Sequence, residues 1–161
     1  MREQDLLWDH DQAIVIPHLG ASTEEAEDAA AAMAAETIMR FLTTGEIVNS
    51  VNFPTTLLET RDTQTSVRIG IVNQNVSGSL AQILAVFGDK DLNILQQVNK
   101  SRGDIAYNVV DVELRDDVDW PMVQKNLTTI PEVISSRFIL GETPLGGYGY
   151  AVNHPEKGYS V

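Results

Sequence analysis

The chain has 161 residues, enough for one full domain with appended segments or for two small domains at most, and 43% of them are apolar, which is typical of a globular protein. Its formal net charge of −12 argues against binding to nucleic acid or to an anionic membrane surface, because their phosphates would repel it. The absence of cysteine excludes disulfides, thiolate chemistry and cysteine-based metal sites.

The sequence contains no recognisable secretory or membrane segment. Residues 1–12 are acidic and lack the basic and apolar regions of a signal peptide. No apolar run approaches the roughly 18 residues that a membrane-spanning helix requires. These features predict a cytoplasmic protein.

The first predicted elements are a short strand and a long helix. Residues 13–16 are apolar on both faces, which is typical of a buried strand. A helix is predicted over residues 23–44, because Ser22 and Glu25 have the spacing of a capping box and alanines dominate its middle. Gly45 favours termination of this helix.

A regular module follows a polar, threonine-rich stretch at residues 54–65, which we interpret as a linker and domain boundary. Apolar periodicity switches between the strand and the helix repeat several times over residues 66–140. The predicted elements are a strand at 66–72, a helix at 80–87, strands at 92–98 and 105–114, a helix capped by Asp119, and a strand at 133–140. This βαββαβ order predicts an α+β, ferredoxin-like domain, a four-stranded antiparallel sheet with both helices on one face.

Two parts of this module concern assembly and the chain end. The strand at 105–114 is apolar on both faces, so we expect a second copy to cover the open face of the sheet or to extend the sheet sideways. The glycine- and tyrosine-rich residues 141–161 are predicted to be a flexible tail or an irregular strap, and we assign them no function.

The loop between the first strand and first helix of the module is the best candidate binding site. A helix N-terminus offers unpaired N–H groups and a partial positive charge, which suit a carboxylate. Gly78 permits close approach, and Asn73 and Asn75 carry amides that both donate and accept. Asn93, at the start of the next strand, is predicted to face the same cleft. The alternative is that these asparagines only cap and turn the loop.

His18 is a second candidate, because it follows the predicted buried strand and precedes a helix. In α/β sheets the carboxyl ends of strands carry active-site groups. The alternative is a loop histidine without a role, which is also our interpretation of His10 and His154. The sequence has no histidine pair with metal-ligand spacing, no glycine-rich dinucleotide motif and no P-loop.

Two segments resemble the D-3-phosphoglycerate dehydrogenase family, namely IPHLGASTEEA at residues 16–26 and VNFP at residues 51–54. The segments NQNVSG at 73–78 and NKSRGDIAY at 99–107 resemble the C-terminal ACT domain of its short bacterial form. The resemblance covers about residues 12–140. It implies that residues 1–53 are the strand–helix remnant of an α/β nucleotide-binding domain and that residues 66–140 are an ACT regulatory domain.

The resemblance also implies roles for individual residues. His18 matches the catalytic acid/base of the family, but the family's carboxylate partner, substrate-binding arginine and dinucleotide loop belong to segments upstream of this chain. The chain alone is therefore expected not to be an enzyme and to hold no cofactor, whereas the family uses NAD. Asn75 and Asn93 match two asparagines that contact the effector in serine-inhibited members. Asn73 replaces the family histidine, and Val76 and Ser77 stand where many members have arginine and proline.

Three functions follow as expectations. The first is an allosteric sensor of a small amino acid, L-serine, in serine biosynthesis, with the site built from the loop 73–78 and Asn93 of a homodimer or larger assembly. The second is a dehydrogenase piece that completes an active site with another dehydrogenase chain. The third is a pure oligomerisation module that only holds subunits together.

Overall fold

A computed structural model of the chain describes residues 11–14, 17, 19–139 and 152–153. The chain divides into two compact units, residues 1–36 and residues 37–161. Of the strand predicted at 13–16, Ala13 and Ile14 have no regular structure, and the other two residues lie outside the described part. Along the described ranges, no helix is both long and apolar enough to cross a membrane.

The predicted long helix is confirmed as α1, Glu24–Thr44. Its N-terminus is capped by Thr23 rather than by Ser22 as the capping box predicted, because the Thr23 hydroxyl accepts the N–H of Ala26 at 3.2 Å. Gly45 follows the helix with φ +77°, a left-handed conformation that glycine adopts without strain. No residue of α1 is buried.

The ferredoxin-like prediction is confirmed by the order of the remaining elements. They are β1 (Ser66–Gln74), α2 (Ser79–Gly88), β2 (Ile94–Arg102), β3 (Ile105–Glu113), α3 (Trp120–Thr129), β4 (Val133–Ile139) and the short β5 (Val152–Asn153). The sheet order is β2-β3-β1-β4-β5, and every neighbouring pair is antiparallel. The predicted cap is also present, since the Asp119 carboxylate accepts the N–H of Met122 at 3.0 Å.

Strand β2 differs from its prediction, because it begins at Ile94 and extends to Arg102. Residues 99–102 are polar and have no strand pattern, yet they pair in register with residues 105–108 of β3. A tight turn at Gly103, with φ +58°, sets this register. The tail prediction for residues 141–161 lies outside the described residues, except that β5 pairs with Ser135 and Ser136 of β4.

The main core lies between one face of the sheet and helices α2 and α3. Alternate residues of β1 and β3 meet the apolar stripes of both helices there. The largest fully buried members are Val67, Ile69, Ile71, Ile83, Phe87, Val110, Val112, Val123 and Leu127. Burial of this apolar surface is the main driving force for the fold.

The second face of the sheet is covered in part by the chain itself, in residues 45–61. Ile47 packs with Tyr107 and Val109, and the backbone of Ile47 pairs with that of Thr56. The Tyr107 hydroxyl donates to the carbonyl of Gly45 at 2.9 Å, which fixes the end of α1 to the sheet. Our expectation that a second copy covers this face is therefore wrong for the part that residues 45–61 occupy. The domain boundary at 54–65 stays a prediction.

The side chain of Arg68 holds residues 45–61, which we call the cover, against the sheet. Its Nε and Nη2 donate to both oxygens of Asp111 at 2.7 Å, and the two side chains are only 4% and 3% exposed. The same guanidinium donates to the carbonyls of Thr44 and Glu59 and to the side chain of Gln96, at 2.9–3.1 Å. One buried cation thus ties together α1, the residues after it, β2 and β3.

The last turn of α1 has no basic residue of its own, and the sheet supplies the cations. Arg68 donates to the Thr44 carbonyl at 3.0 Å, and Arg137 donates to the Phe41 carbonyl. The guanidinium of Arg137 also lies 3.7 Å from the centre of the Phe41 ring. Positive charge at a helix C-terminus is stabilising, so these contacts favour the docked position of residues 41–44.

Glu46 connects the last turns of α1 with the later part of residues 45–61. Its carboxylate accepts the N–H of Leu58 at 3.1 Å and two bonds from Arg40 at 3.0 and 2.7 Å. Burial alone would raise the pKa of Glu46, but the bonds from Leu58 and Arg40 together hold this pKa below its ordinary value. The charged form of Glu46 is therefore the form that stabilises the fold.

Candidate functional site

The loop between β1 and α2 presents an uncapped helix N-terminus. Gly78 is the N-cap residue of α2 in a left-handed conformation, φ +87°, and no side chain caps the helix. A Cβ added at Gly78 would meet no atom within 4 Å, so the space beside it is open. Val76 is 50% exposed and Ser77 is exposed. The Ser79 N–H already donates to the Val76 carbonyl at 3.3 Å, whereas the N–H groups of Leu80 and Ala81 are available for an anionic group such as a carboxylate.

Asn73 is placed differently from what the sequence suggested. It is 1% exposed, and its side chain lies on the core face of the sheet, where the alternation of Val67, Ile69 and Ile71 continues. Its Nδ2 donates to the Gln74 carbonyl at 2.8 Å and to the Ser79 hydroxyl at 3.1 Å. Its Oδ1 accepts from Asn108 at 2.5 Å. The Asn73 amide is therefore engaged inside the protein and shapes the loop from beneath.

Asn75 lies on the surface and connects the loop to the turn between β2 and β3. Its Nδ2 donates to the Gly103 carbonyl at 3.0 Å, and its backbone N–H donates to the Asp104 carbonyl at 2.8 Å. These bonds fix the loop against the hairpin turn, which leaves the amide of Asn75 at the exposed rim beside Val76. Of the predicted loop residues, Asn75, Val76, Ser77 and Gly78 are exposed together and Asn73 is buried beneath them, and their role as ligand contacts stays a prediction.

Asn93 lies at the opposite end of the sheet. Its carbonyl accepts the N–H of Glu113 at 3.0 Å, and Glu113 pairs with Ser66 at the start of β1. Asn75, in contrast, follows the end of β1. The expectation that Asn93 faces the same cleft is therefore not met within one chain. Its assignment as a ligand contact stays a prediction that requires a second copy.

His18, the candidate acid/base, lies outside the described residues. Within those that the structure describes, no group of three histidine, aspartate or glutamate side chains has the arrangement of a metal site. The expectation that this chain holds no cofactor stays a prediction.

Sequence reasoning missed three residues that support the loop. Asn99, Asn108 and Ser79 join Asn73 in a row of side-chain hydrogen bonds from the edge strand to the first residue of α2. Asn108 carried the one usable signal, since it is a single amide inside the apolar run of β3. A buried amide needs hydrogen-bond partners, so its presence predicts neighbours of the same kind.

Curated proteins with similar sequences are dehydrogenases. D-3-phosphoglycerate dehydrogenase 1 of Saccharomyces cerevisiae is 32% identical over 128 residues, which are 78% of this chain and 27% of the yeast protein. D-3-phosphoglycerate dehydrogenase of Escherichia coli K12 is 26% identical over 133 residues, 83% of this chain and 32% of that protein. The chain therefore spans about a third or less of the length of these relatives.

Comparisons with protein-family models and with solved structures are less informative than the comparison with curated sequences. No protein-family model matches the chain. Among solved structures, the ACT domain from GTP pyrophosphokinase of Chlorobium tepidum aligns with 46% of this chain and 96% of its own, at 19% identity and a TM-score of 0.42. The curated homologues of this chain are D-3-phosphoglycerate dehydrogenases, and its sequence corresponds to their C-terminal portion.

Proposed function

We propose that residues 66–139 act as a regulatory domain of the ACT type that binds a small amino acid, with L-serine as the ligand. The observation that carries the proposal is the uncapped N-terminus of α2 beside Gly78. Its N–H groups suit the carboxylate of an amino acid, and the rim amide of Asn75 suits the ammonium or hydroxyl group. The resemblance to serine-inhibited members of the family supports L-serine over other small amino acids.

A complete site requires two copies of the chain. Strand β2 is the outer strand of the described sheet on one side, so its free edge is available for pairing. A two-fold pairing of this edge runs the two β2 strands antiparallel. The start of one β2 then lies beside the end of the other, which brings Asn93 of the partner subunit towards the loop that carries Asn75. Asn75 and Asn93, which lie far apart within one chain, would thus come together across the interface between two chains.

Isothermal titration of the full chain with L-serine tests the proposal, with glycine and L-alanine as competing ligands. We expect selective, saturable heat, and about a tenfold or greater loss of affinity in Asn75→Ala and in Asn93→Ala, since each removes a hydrogen bond to a charged ligand. Asn126→Ala on α3 is the matched control and should bind as the unmodified chain does. Unchanged affinity in both loop and strand variants would exclude this site.

A second candidate is a dehydrogenase piece that works with another chain. It is favoured by the identity of the curated homologues and by the small part of them that this chain spans. We expect the chain alone to show no dehydrogenase activity. Activity with NAD that appears only on mixing with a nucleotide-binding chain, and that His18→Ala abolishes, would support this candidate. Clean dimerisation with no ligand response would instead indicate a pure assembly module.

A further inference from the structure

A row of three asparagine side chains crosses the sheet beneath the candidate site. Asn99 of β2 donates to Asn108 of β3 at 2.6 Å, and Asn108 donates to Asn73 of β1 at 2.5 Å. Asn73 then donates to the Ser79 hydroxyl at 3.1 Å, at the first residue of α2. Every amide in this row donates in the same direction, from the edge strand towards the helix.

The two ends of the row differ in exposure. Asn108 is fully buried and Asn73 is 1% exposed, so each depends on the other for its hydrogen bonds. Asn99, in contrast, is exposed on the free edge of the sheet. A change at the surface of β2 therefore reaches a buried network whose members have no water to replace a lost partner.

The inner end of the row holds the loop in shape. The Ser79 hydroxyl lies 2.9 Å from the Val76 carbonyl and 3.2 Å from the Gln74 carbonyl, so its single O–H donates to the backbone next to Asn75, with Val76 the nearer acceptor. The position of Asn73 thus sets where the Ser79 hydroxyl lies, and Ser79 sets the path of residues 74–76. The direction of the helix N–H groups depends on this path.

We infer that Asn99, Asn108 and Asn73 are positioning residues that link edge strand β2 to the loop 74–78. Contacts made on the β2 edge, such as those of a second copy of the chain, alter the geometry of the loop and hence its affinity for a ligand. The ligand part of this inference rests on the proposed function, but the structural link between Asn99 and the loop does not. By linkage, ligand in the loop alters pairing at the edge by the same factor.

The test uses Asn99→Asp in the full chain, because aspartate has the shape of asparagine but, when ionised, cannot donate to Asn108. Ser101→Asp is the matched control, since it places the same charge on the same strand and, by strand alternation, on the same face, outside the row. Asn99 is exposed, so its variant is expected to fold.

The first readout needs no ligand. We expect Asn99→Asp to shift the NMR signals of the Asn73 side-chain amide and of the Leu80 backbone N–H, and Ser101→Asp to leave both in place. Signals that stay in place in Asn99→Asp, or that move equally in the two variants, would overturn the inference.

The second readout is the affinity for L-serine, which we expect Asn99→Asp to lower by about fivefold or more and Ser101→Asp to leave unchanged. Equal affinity in Asn99→Asp and the unmodified chain overturns the link while the proposed function stands. Absence of L-serine binding together with the NMR shifts overturns the proposed ligand while the link stands.

Discussion

Replacing Arg68 by methionine is expected to lower the free energy of unfolding by about 3–5 kcal/mol. The change removes the cation that is hydrogen-bonded to the buried carboxylate of Asp111, and loss of one partner of a buried ion pair is costly. Both bonds between the two side chains are 2.7 Å long, and neither side chain is more than 4% exposed. Solvent therefore screens this pair very little.

The expected loss is large compared with the total free energy of unfolding of the domain. A domain of this size typically has about 5–15 kcal/mol of stability, so a loss of about 3–5 kcal/mol is at least a fifth of it. The Arg68 guanidinium also satisfies the carbonyls of Thr44 and Glu59, and these become unpaired in the variant. We therefore expect residues 45–61 to separate from the sheet before the sheet itself unfolds.

Urea denaturation followed by far-ultraviolet circular dichroism measures the effect. Arg115→Met is the matched control, because Arg115 pairs with Asp117 at 2.6 Å on the exposed surface, and its loss should fall within experimental error. The double variant Arg68→Met, Asp111→Leu should recover much of the loss, since the carboxylate that lost its hydrogen-bonded partner is then removed as well. A loss for Arg68→Met no greater than that for Arg115→Met would refute the reasoning.

Three further predictions concern stability. Gly70→Ala should cost about 1–3 kcal/mol, because its Cβ would lie 2.8 Å from the Tyr107 hydroxyl, whereas Gly88→Ala has no neighbour within 4 Å and should be neutral or stabilising; equal thermal midpoints would contradict this. Asp119→Ala should cost about 0.5–2 kcal/mol in urea through loss of the α3 cap, and Asp119→Asn should retain most of it. The lowered pKa of Glu46 means that its stabilising contribution is complete above about pH 4.5 and is lost as the pH falls through its folded pKa. Glu46→Gln should therefore be less stable than the unmodified chain at pH 7 and equally stable in acid, and a difference that does not change with pH would exclude this role.

The elements of residues 66–139 were predictable because apolar periodicity is a local signal. Each strand and helix there has its own alternating or helical pattern, and the order βαββαβ then leaves few topologies. The burial of Arg68 was not predictable from such a pattern. Its partner Asp111 lies on β3, and the two residues face each other only through the register of the β1–β3 pairing, which joins segments 43 residues apart in the chain.

The candidate site also has features that the sequence predicts and features that it does not. Gly78 and the uncapped start of α2 were predictable from the loop sequence, whereas a strand pattern that ends at Val72 places Asn73 in the loop. The strand continues to Gln74, and strand alternation then places Asn73 towards the core. Within a single chain the prediction that Asn93 faces the same cleft as Asn75 was wrong, and the βαββαβ topology itself could have shown that these two residues are separated. In this sheet β1 and β2 run in the same direction, so the end of one and the start of the other lie at opposite ends.

The cover formed by residues 45–61 has a practical consequence for anyone who trims the chain. A fragment that begins at the polar stretch 54–65, where a sequence pattern suggests a natural cut, would expose Tyr107 and Val109 to water and remove the carbonyl partners of two sheet arginines. Such a fragment would expose an apolar patch on the sheet and be prone to aggregation. The shortest well-behaved fragment should instead start near Thr37, upstream of Phe41 and Thr44, and so retain the last turns of α1.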